Sequence, residues 1–221
     1  WVSPYNGRSQ LRPLFFSQFT MLIVRDLSCI RGQKQLFTNL SFEIGEGQWL
    51  HLKGENGSGK TSLLRILATL TKPVDGQITW NGRDIYSEVE NYRDDLAYVG
   101  HHQSLKDELT PLENLEFLLG IDGKAIDSKQ ALEMLWQFGL YGCENLPIRY
   151  LSAGQKRRVL LVRLVLRQAK LWLLDEPFNA LDVSAVQYLT DLIRGHLANG
   201  GIAIVTSHQE IKLPGAKVVQ L

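Results

Sequence analysis

Gly54-Glu55-Asn56-Gly57-Ser58-Gly59-Lys60-Thr61 is the stretch that decides the fold of this 221-residue chain. It follows residues 48–53, which have the apolar pattern of a strand, and it precedes residues 60–70, which have helical spacing. Glycines at these positions let successive backbone N–H groups turn inward around phosphate oxygens, and the helix start adds partial positive charge. The segment therefore predicts a phosphate-binding loop. The candidate ATP-binding residues are Gly54, Glu55, Asn56, Gly57, Ser58, Gly59, Lys60, Thr61 and Ser62.

Two side chains at the end of this loop suit different parts of a bound nucleotide. The Lys60 ammonium is expected to reach the β- and γ-phosphates of ATP, and the Thr61 hydroxyl is expected to ligate Mg²⁺. A glycine-rich turn that matches the pattern by chance is disfavoured, because strand, loop and helix follow one another in the required order.

Two acidic residues, Asp175 and Glu176, end a second apolar strand that is predicted at 171–174. Asp175 is expected to bind Mg²⁺ through water. Glu176 lies where a general base could orient an attacking water molecule. On its own, an acid pair after a strand is as often a surface feature as a catalytic pair. The catalytic interpretation is favoured here because the chain also has a phosphate-binding loop.

A second segment of small residues, Leu151-Ser152-Ala153-Gly154-Gln155, precedes a helix predicted at 153–168. Ser152 can cap this helix, and the small side chains let the backbone approach a phosphate. In isolation the segment is best interpreted as an ordinary N-cap, but it precedes the two acids by about 20 residues, as a paired phosphate motif would. Because the chain already has one phosphate loop, a second cradle indicates that it binds the ATP of another subunit.

In this order, the segments resemble those of the ATP-binding subunits of ABC transporters, over essentially all of residues 21–221. The resemblance implies an α/β P-loop NTPase fold of the ABC ATPase type, with a mixed β core, an antiparallel β subdomain and a helical insertion. It implies a single domain at 21–221, with a helical subdomain at about 104–168. The implied signature motif, which binds the ATP of a second copy, is Ser152, Ala153, Gly154 and Gln155. The other implied roles are Asp182 in the D-loop and a catalytic set of Glu176, Lys60 and the switch histidine His208.

Longer strings narrow the resemblance to the ATPases of cytochrome c biogenesis systems, described as haem exporters. They are Tyr98-Val99-Gly100-His101-His102, the segments 109–115 and 151–158, and the segment 171–178. The resemblance implies integral membrane permease subunits as partners, a second copy of the chain in an ATP-sandwich dimer, and haem-handling proteins reached through the complex. It implies a location at the cytoplasmic face of the inner membrane, where a partner holds the chain.

Two positions depart from the family pattern. Most ABC ATPases have an aromatic residue near position 31 that stacks on adenine, whereas this chain has Arg31, so the selectivity for ATP over GTP stays open. The glutamine of the Q-loop is expected at position 102, but His102 occupies it and Gln103 follows one residue late. Either residue could contact Mg²⁺ or water, and His102 could also be a plain loop residue.

Composition narrows the partners further. The formal net charge of +1 gives no electrostatic case for nucleic acid, which argues against an ABC protein that acts on ribosomes or DNA. The two cysteines are far apart and favour reduced thiols. The five histidines form no evident axial-ligand motif for haem, so partners are expected to handle any haem.

Two further functions fit the same motifs, namely the ATPase of a different ABC transporter and a non-enzymatic nucleotide sensor.

The first 20 residues precede the recognisable pattern. They are interpreted as a disordered extension or an artefact of the assigned start, with Met21 as the true start, and a docking tail is the alternative.

The most apolar stretch, 159–174, is interrupted by Arg163, Arg167 and Lys170, so no segment is expected to span a membrane.

Overall fold

Nine strands and six α-helices occur in the part of the chain that the computed structural model describes, residues 20–100, 104–208 and 211–221. The strands are β1 (Met21–Arg31), β2 (Lys34–Gly45), β3 (Trp49–Lys53), β4 (Asp75–Trp80), β5 (Arg83–Asp84), β6 (Leu96–Val99), β7 (Leu171–Leu174), β8 (Ile202–Thr206) and β9 (Ala216–Gln220). The helices are α1 (Lys60–Leu67), α2 (Val89–Asp94), α3 (Pro111–Ile121), α4 (Ser128–Gln137), α5 (Ala153–Leu166) and α6 (Val183–Ala198). No helix in these ranges is long and apolar enough to cross a membrane.

The strands form one antiparallel sheet, in the order β2-β1-β4-β5, and one parallel sheet, in the order β6-β7-β8-β3-β9. The central strands of the parallel sheet are apolar throughout because both faces of the sheet are covered. In β7, Leu171 and Leu173 pack in one hydrophobic core, whereas Trp172 and Leu174 pack in the other. Strand β8 divides its residues between the same two cores. The two sheets confirm the predicted α/β fold.

Parallel pairing places the predicted motifs at one edge of the sheet. Leu52 of β3 pairs with Thr206 of β8, and Leu174 of β7 pairs with Val205. The chain that leaves β3 forms the glycine-rich loop, the chain that leaves β7 carries the acid pair, and the chain that leaves β8 carries His208. Because the carboxyl ends of parallel strands meet at the same edge, segments more than a hundred residues apart converge there.

The region between β6 and β7 contains the helices α3, α4 and α5. A capping box at Thr110 and Glu113 starts α3, and Pro111 fits its first turn. The buried amide of Asn114 donates to three carbonyls of the preceding turn, those of Lys106, Leu109 and Thr110. These bonds fix the loop that enters the helices from the end of β6.

We expect Gly201→Ala to lower the free energy of unfolding by about 1–3 kcal/mol, the usual cost of overpacking. A β-carbon at Gly201 would lie 2.2 Å from Cε1 of His196. The imidazole cannot move aside freely, because it stacks on Trp172 with ring centroids 3.9 Å apart and its Nε2 lies 3.1 Å from the Ile202 carbonyl oxygen. Urea unfolding would measure the loss.

Gly195→Ala is the matched control for this substitution. Gly195 lies inside α6, and a β-carbon there would meet no heavy atom within 4 Å. Alanine in a helix interior stabilises by about 0.5–1 kcal/mol relative to glycine. Equal effects of the two substitutions would contradict the packing argument.

Candidate nucleotide-binding site

The glycine-rich loop between β3 and α1 has a backbone that only glycine adopts easily. Gly54, Gly57 and Gly59 have φ of 154°, 79° and 114°. A β-carbon on Gly54 would lie 2.5 Å from Oγ of Ser58 and 2.8 Å from the backbone oxygen of Leu221. The loop therefore closes tightly on itself and on the end of β9, and a side chain at Gly54 would displace it.

Lys60 begins α1, and its buried side chain turns back into the loop. Its ammonium donates to the carbonyl oxygens of Gly54 at 2.7 Å and Glu55 at 3.1 Å. Gly59, the N-cap of α1, provides no side chain to cap the helix. The start of α1 therefore has no side-chain cap, and an uncapped helix N-terminus that begins with a lysine is suited to an anion. Thr61 and Ser62 follow in the first turn.

Asp175 is 1% exposed at the end of β7. Its Oδ1 accepts a hydrogen bond of 2.9 Å from the Thr206 hydroxyl. Its Oδ2 is buried and has no hydrogen-bond partner among the described residues. A buried carboxylate oxygen left in this way fits a hard cation, and carboxylate, hydroxyl and water oxygens are what Mg²⁺ prefers. Within the described part of the chain, Asp175 therefore has a free donor atom that is compatible with Mg²⁺, and the Thr61 hydroxyl predicted as the second ligand has the same oxygen chemistry.

Glu176 and His208 lie side by side. The Oε1 of Glu176 is 3.4 Å from Nε2 of His208. The Glu176 side chain is 13% exposed and that of His208 is 52% exposed, so the pair lies at the boundary between core and solvent. Glu176 has a φ of 48°, a left-handed conformation that is uncommon outside glycine. Its amide donates to the Thr206 hydroxyl oxygen at 2.8 Å.

The segment predicted as a second phosphate cradle forms a capping box at the start of α5. The Ser152 hydroxyl accepts from the Gln155 amide at 3.2 Å, and Oε1 of Gln155 accepts from the Ser152 amide at 2.8 Å. Ala153 begins the helix, and a β-carbon at Gly154 would lie 2.8 Å from the Ala180 carbonyl oxygen. Within the described residues, no hydrogen bond or ion pair joins this segment to the glycine-rich loop.

Asp182 caps α6. Its Oδ1 accepts hydrogen bonds from the Ser184 hydroxyl at 2.7 Å and from the Ala185 amide at 2.8 Å, and these bonds lower the pKa of the carboxyl. Its other oxygen forms an ion pair with Arg158 of α5. Asp182 thus links the start of α6 to the helix that carries Ser152.

Arg31 lines a cleft of ≈1060 Å³, whose lining also includes Thr61, Ser62 and Gly100. Arg31 is exposed at the end of β1. His102 and Gln103 lie outside the described residues. The burial of Tyr98, and next the nearby Asp175 carboxylate, raise the pKa of the Tyr98 phenol to about 12, so the end of β6 presents a neutral hydroxyl.

Sequence reasoning missed two residues of this site, Thr206 and Arg157. Thr206 bonds both Asp175 and Glu176, and its position at the end of an apolar strand, two residues before His208, is a usable signal. Arg157 stands between the basic residues Lys156 and Arg158 in the sequence, yet it is 5% exposed. Its spacing from Leu160, Leu161 and Leu164 places it on the buried face of α5.

Comparisons with known proteins show which family this chain resembles. The sequence model described as ABC transporter matches residues 37–179. The chain is 48% identical over 205 residues to "Cytochrome c biogenesis ATP-binding export protein CcmA" of Nitrosomonas europaea, covering 93% of this chain and 96% of that protein. It is 44% identical over 198 residues to the protein of the same name from Escherichia coli K12, covering 90% and 94%.

Solved structures are similar as well. One, titled "Structure of ATP binding subunit of ABC transporter", has a TM-score of 0.75 and 28% identity, and the match covers 86% of this chain and 80% of that chain. A putative ABC transporter ATP-binding protein from Pyrococcus furiosus has a TM-score of 0.78 over 91% of this chain and 97% of that chain. At 24% identity, this second structure supports the fold alone.

Proposed function

The chain belongs to the ABC transporter family, and we propose that it is the ATP-hydrolysing subunit of a membrane complex for c-type cytochrome biogenesis. Membership of this family makes it a nucleotide-binding ATPase. The assignment to cytochrome c biogenesis comes from relatives that carry that name, are 44–48% identical and match nearly their full length. The alternative, the ATPase of another ABC transporter, uses the same site.

The observation that carries the ATPase site is the convergence of three groups at one edge of the parallel sheet. They are the Lys60 ammonium in the glycine-rich loop, the Oδ2 of Asp175, which has no hydrogen-bond partner in the described part of the chain, and the Glu176 carboxylate 3.4 Å from His208. Transfer of a phosphoryl group to water requires a cation, a metal ligand and a base. Lys60, Asp175 and Glu176 have these three kinds of group.

In the mechanism that we propose, residues 54–62 bind the triphosphate of ATP through backbone N–H groups. The Lys60 ammonium lies against the β- and γ-phosphates and offsets the charge that develops between them. Glu176 accepts a hydrogen bond from the attacking water and orients it toward the γ-phosphate, while His208 contacts a γ-phosphate oxygen. Thr61 and, through water, Asp175 would bind Mg²⁺, which would neutralise phosphate charge there.

A second copy of the chain is proposed to complete each site. Ser152 and Gly154 of that copy would approach the γ-phosphate, with the first N–H groups of α5 directed at it. Because these residues already form an ordered cap, closing the dimer requires little rearrangement of the segment. Asp182 would lie at the interface between the copies. Hydrolysis would remove the phosphate contacts that join them, so the dimer would open.

The part of the ≈1060 Å³ cleft that lies beside residues 100–120, away from the glycine-rich loop, is the surface that we propose for a permease subunit. Gly100 and Ser104 line it on both sides of residues 101–103, and Ile121 and Asp122 line it at the end of α3. A partner seated there would sense the loop that leaves β6 and the helices that carry the signature segment. Such a partner would hold the chain at the cytoplasmic face of the inner membrane.

Haem is proposed to be handled by partner proteins and not by this chain. In the described ranges, no group of three or more histidine, cysteine or acidic side chains could hold a metal ion. His51 is buried and His196 is partly buried, and burial lowers the pKa of both imidazoles. The His51 imidazole, 6% exposed, presents no free face to a ligand as large as haem.

Affinity purification of the tagged chain from native membranes in mild detergent, followed by mass spectrometry, tests the proposal. We expect multi-spanning membrane proteins together with cytochrome-maturation components. A permease without those components would keep the transporter assignment and contradict the cytochrome assignment. Recovery of ribosomal or DNA-associated proteins alone would contradict both assignments.

A further inference from the structure

We propose that Arg157 is a positioning residue for the general base, because its buried guanidinium fixes the backbone that carries Glu176. Three segments meet at this side chain. They are the end of β6, the turn after β7, and α5, the helix that begins with the signature segment. The inference rests on the proposed role of Glu176 and adds a residue that holds it in place.

The hydrogen bonds of Arg157 all go to backbone carbonyl oxygens. Its Nη2 donates to the carbonyls of Asp175 at 2.9 Å and Glu176 at 3.0 Å. Its Nε donates to the Pro177 carbonyl at 3.3 Å, and its Nη1 donates to the Gly100 carbonyl at 3.0 Å. The guanidinium therefore bonds three consecutive carbonyls around Glu176 and, in addition, the residue that precedes segment 101–103.

The charged side chain of Arg157 is buried, which is unfavourable unless its hydrogen bonds compensate. At 5% exposure, Arg157 occupies a position on the apolar face of α5 where leucine would otherwise continue the stripe of Leu160, Leu161 and Leu164. Burying a guanidinium is costly unless its N–H groups are bonded, and a hydrophobic residue of similar volume is often the more stable choice. The hydrogen bonds to the backbone around Glu176 explain why an arginine occupies this buried position.

The conformation of Glu176 shows what those bonds do. A left-handed backbone outside glycine is strained and persists only where its surroundings fix it. Arg157 bonds the carbonyl oxygens on both sides of the Glu176 α-carbon, and Thr206 bonds its amide. Both peptide groups of Glu176 are therefore fixed, which directs its carboxylate toward His208.

Arg157→Lys is the decisive substitution. It keeps the charge and the aliphatic stem, but a single ammonium nitrogen cannot span carbonyls on both loops as the planar guanidinium does. We expect kcat for ATP hydrolysis by the full-length protein to fall by about 10-fold to 100-fold, since small misplacements of a catalytic group have effects of this size. We expect the dissociation constant for Mg-ATP to change by less than about twofold, because other residues bind the phosphates.

The control is Arg194→Lys, on the outer face of α6. Arg194 is half exposed and forms an ion pair with Asp191, so this variant should hydrolyse ATP at the parent rate. Circular dichroism melting confirms folding. If Arg157→Lys does not fold, Arg157→Gln is measured under the same criteria. A folded Arg157 variant with the parent kcat would overturn the inference.

A double-mutant cycle separates positioning from other roles. If Arg157 acts through Glu176, then adding Arg157→Lys to Glu176→Gln should lower the residual single-turnover rate by less than about twofold. A further loss as large as that in the parent background would overturn the inference. A Glu176→Gln variant with the parent rate would instead contradict the proposed role of Glu176 as the general base, and with it the premise about Arg157.

Discussion

Glu176→Gln is expected to lower the rate of ATP hydrolysis by about 10²–10⁴-fold, the range for loss of a general base. The amide has nearly the shape of the carboxylate but cannot accept the proton of the attacking water. ATP should still bind, because residues 54–62 and Lys60 are unchanged. With hydrolysis blocked, the contacts that join two copies persist, so size-exclusion chromatography with Mg-ATP should show a stable dimer of the full-length chain.

Glu133→Gln, on the exposed face of α4, is the matched control, because it makes the same chemical change away from the site. It should show the parent rate of phosphate release and no ATP-dependent dimer beyond that of the parent. Parent-rate hydrolysis by Glu176→Gln would contradict the role of Glu176. A low rate without dimer accumulation would contradict the sandwich mechanism while leaving Glu176 as the base.

Much of the fold follows from local patterns in the sequence. The strands β3, β7 and β8 are short apolar runs next to motif residues, and α5 begins at Ala153, where the sequence predicts a helix. Strand β9 was not predicted because most of its residues are exposed at a sheet edge, so it lacks an apolar pattern. The short helix α2 was missed for a similar reason, since only Tyr92 of its residues is buried.

Site residues could be predicted from the sequence where they form a motif. They could not be predicted where their role depends on contacts between distant segments. The glycine-rich loop and the acids after β7 are visible because residue type and spacing are both unusual. Thr206 and Arg157 act through bonds to backbone groups that come from other segments, and a single sequence does not reveal those partners. The adjacency of Glu176 and His208 likewise depends on the pairing of β7 with β8.

Two inactive variants, mixed, are expected to restore activity if each copy completes the site of the other. Lys60→Ala removes the ammonium that binds phosphate and should abolish hydrolysis. Ser152→Asp keeps a good N-cap for α5 but places a negative charge against the γ-phosphate bound by the partner. In a dimer of the two variants, both lesions fall in one site and the other site is intact. Random pairing should therefore recover at most about a quarter of the parent rate.

The control mixture combines Lys60→Ala with Glu176→Gln. Both residues act on the ATP bound by their own chain, so a dimer of these two variants has a lesion in each site and should stay inactive. Phosphate release measured across mixing ratios distinguishes the cases, since recovery should peak at equal amounts of Lys60→Ala and Ser152→Asp. Recovery in the control mixture, or none in the test mixture, would contradict the assignment of Ser152 to the site of the other copy. Both mixtures contain Lys60→Ala. The difference between them therefore depends only on whether the second substitution, Ser152→Asp or Glu176→Gln, affects the ATP bound by the other copy or the ATP bound by its own copy.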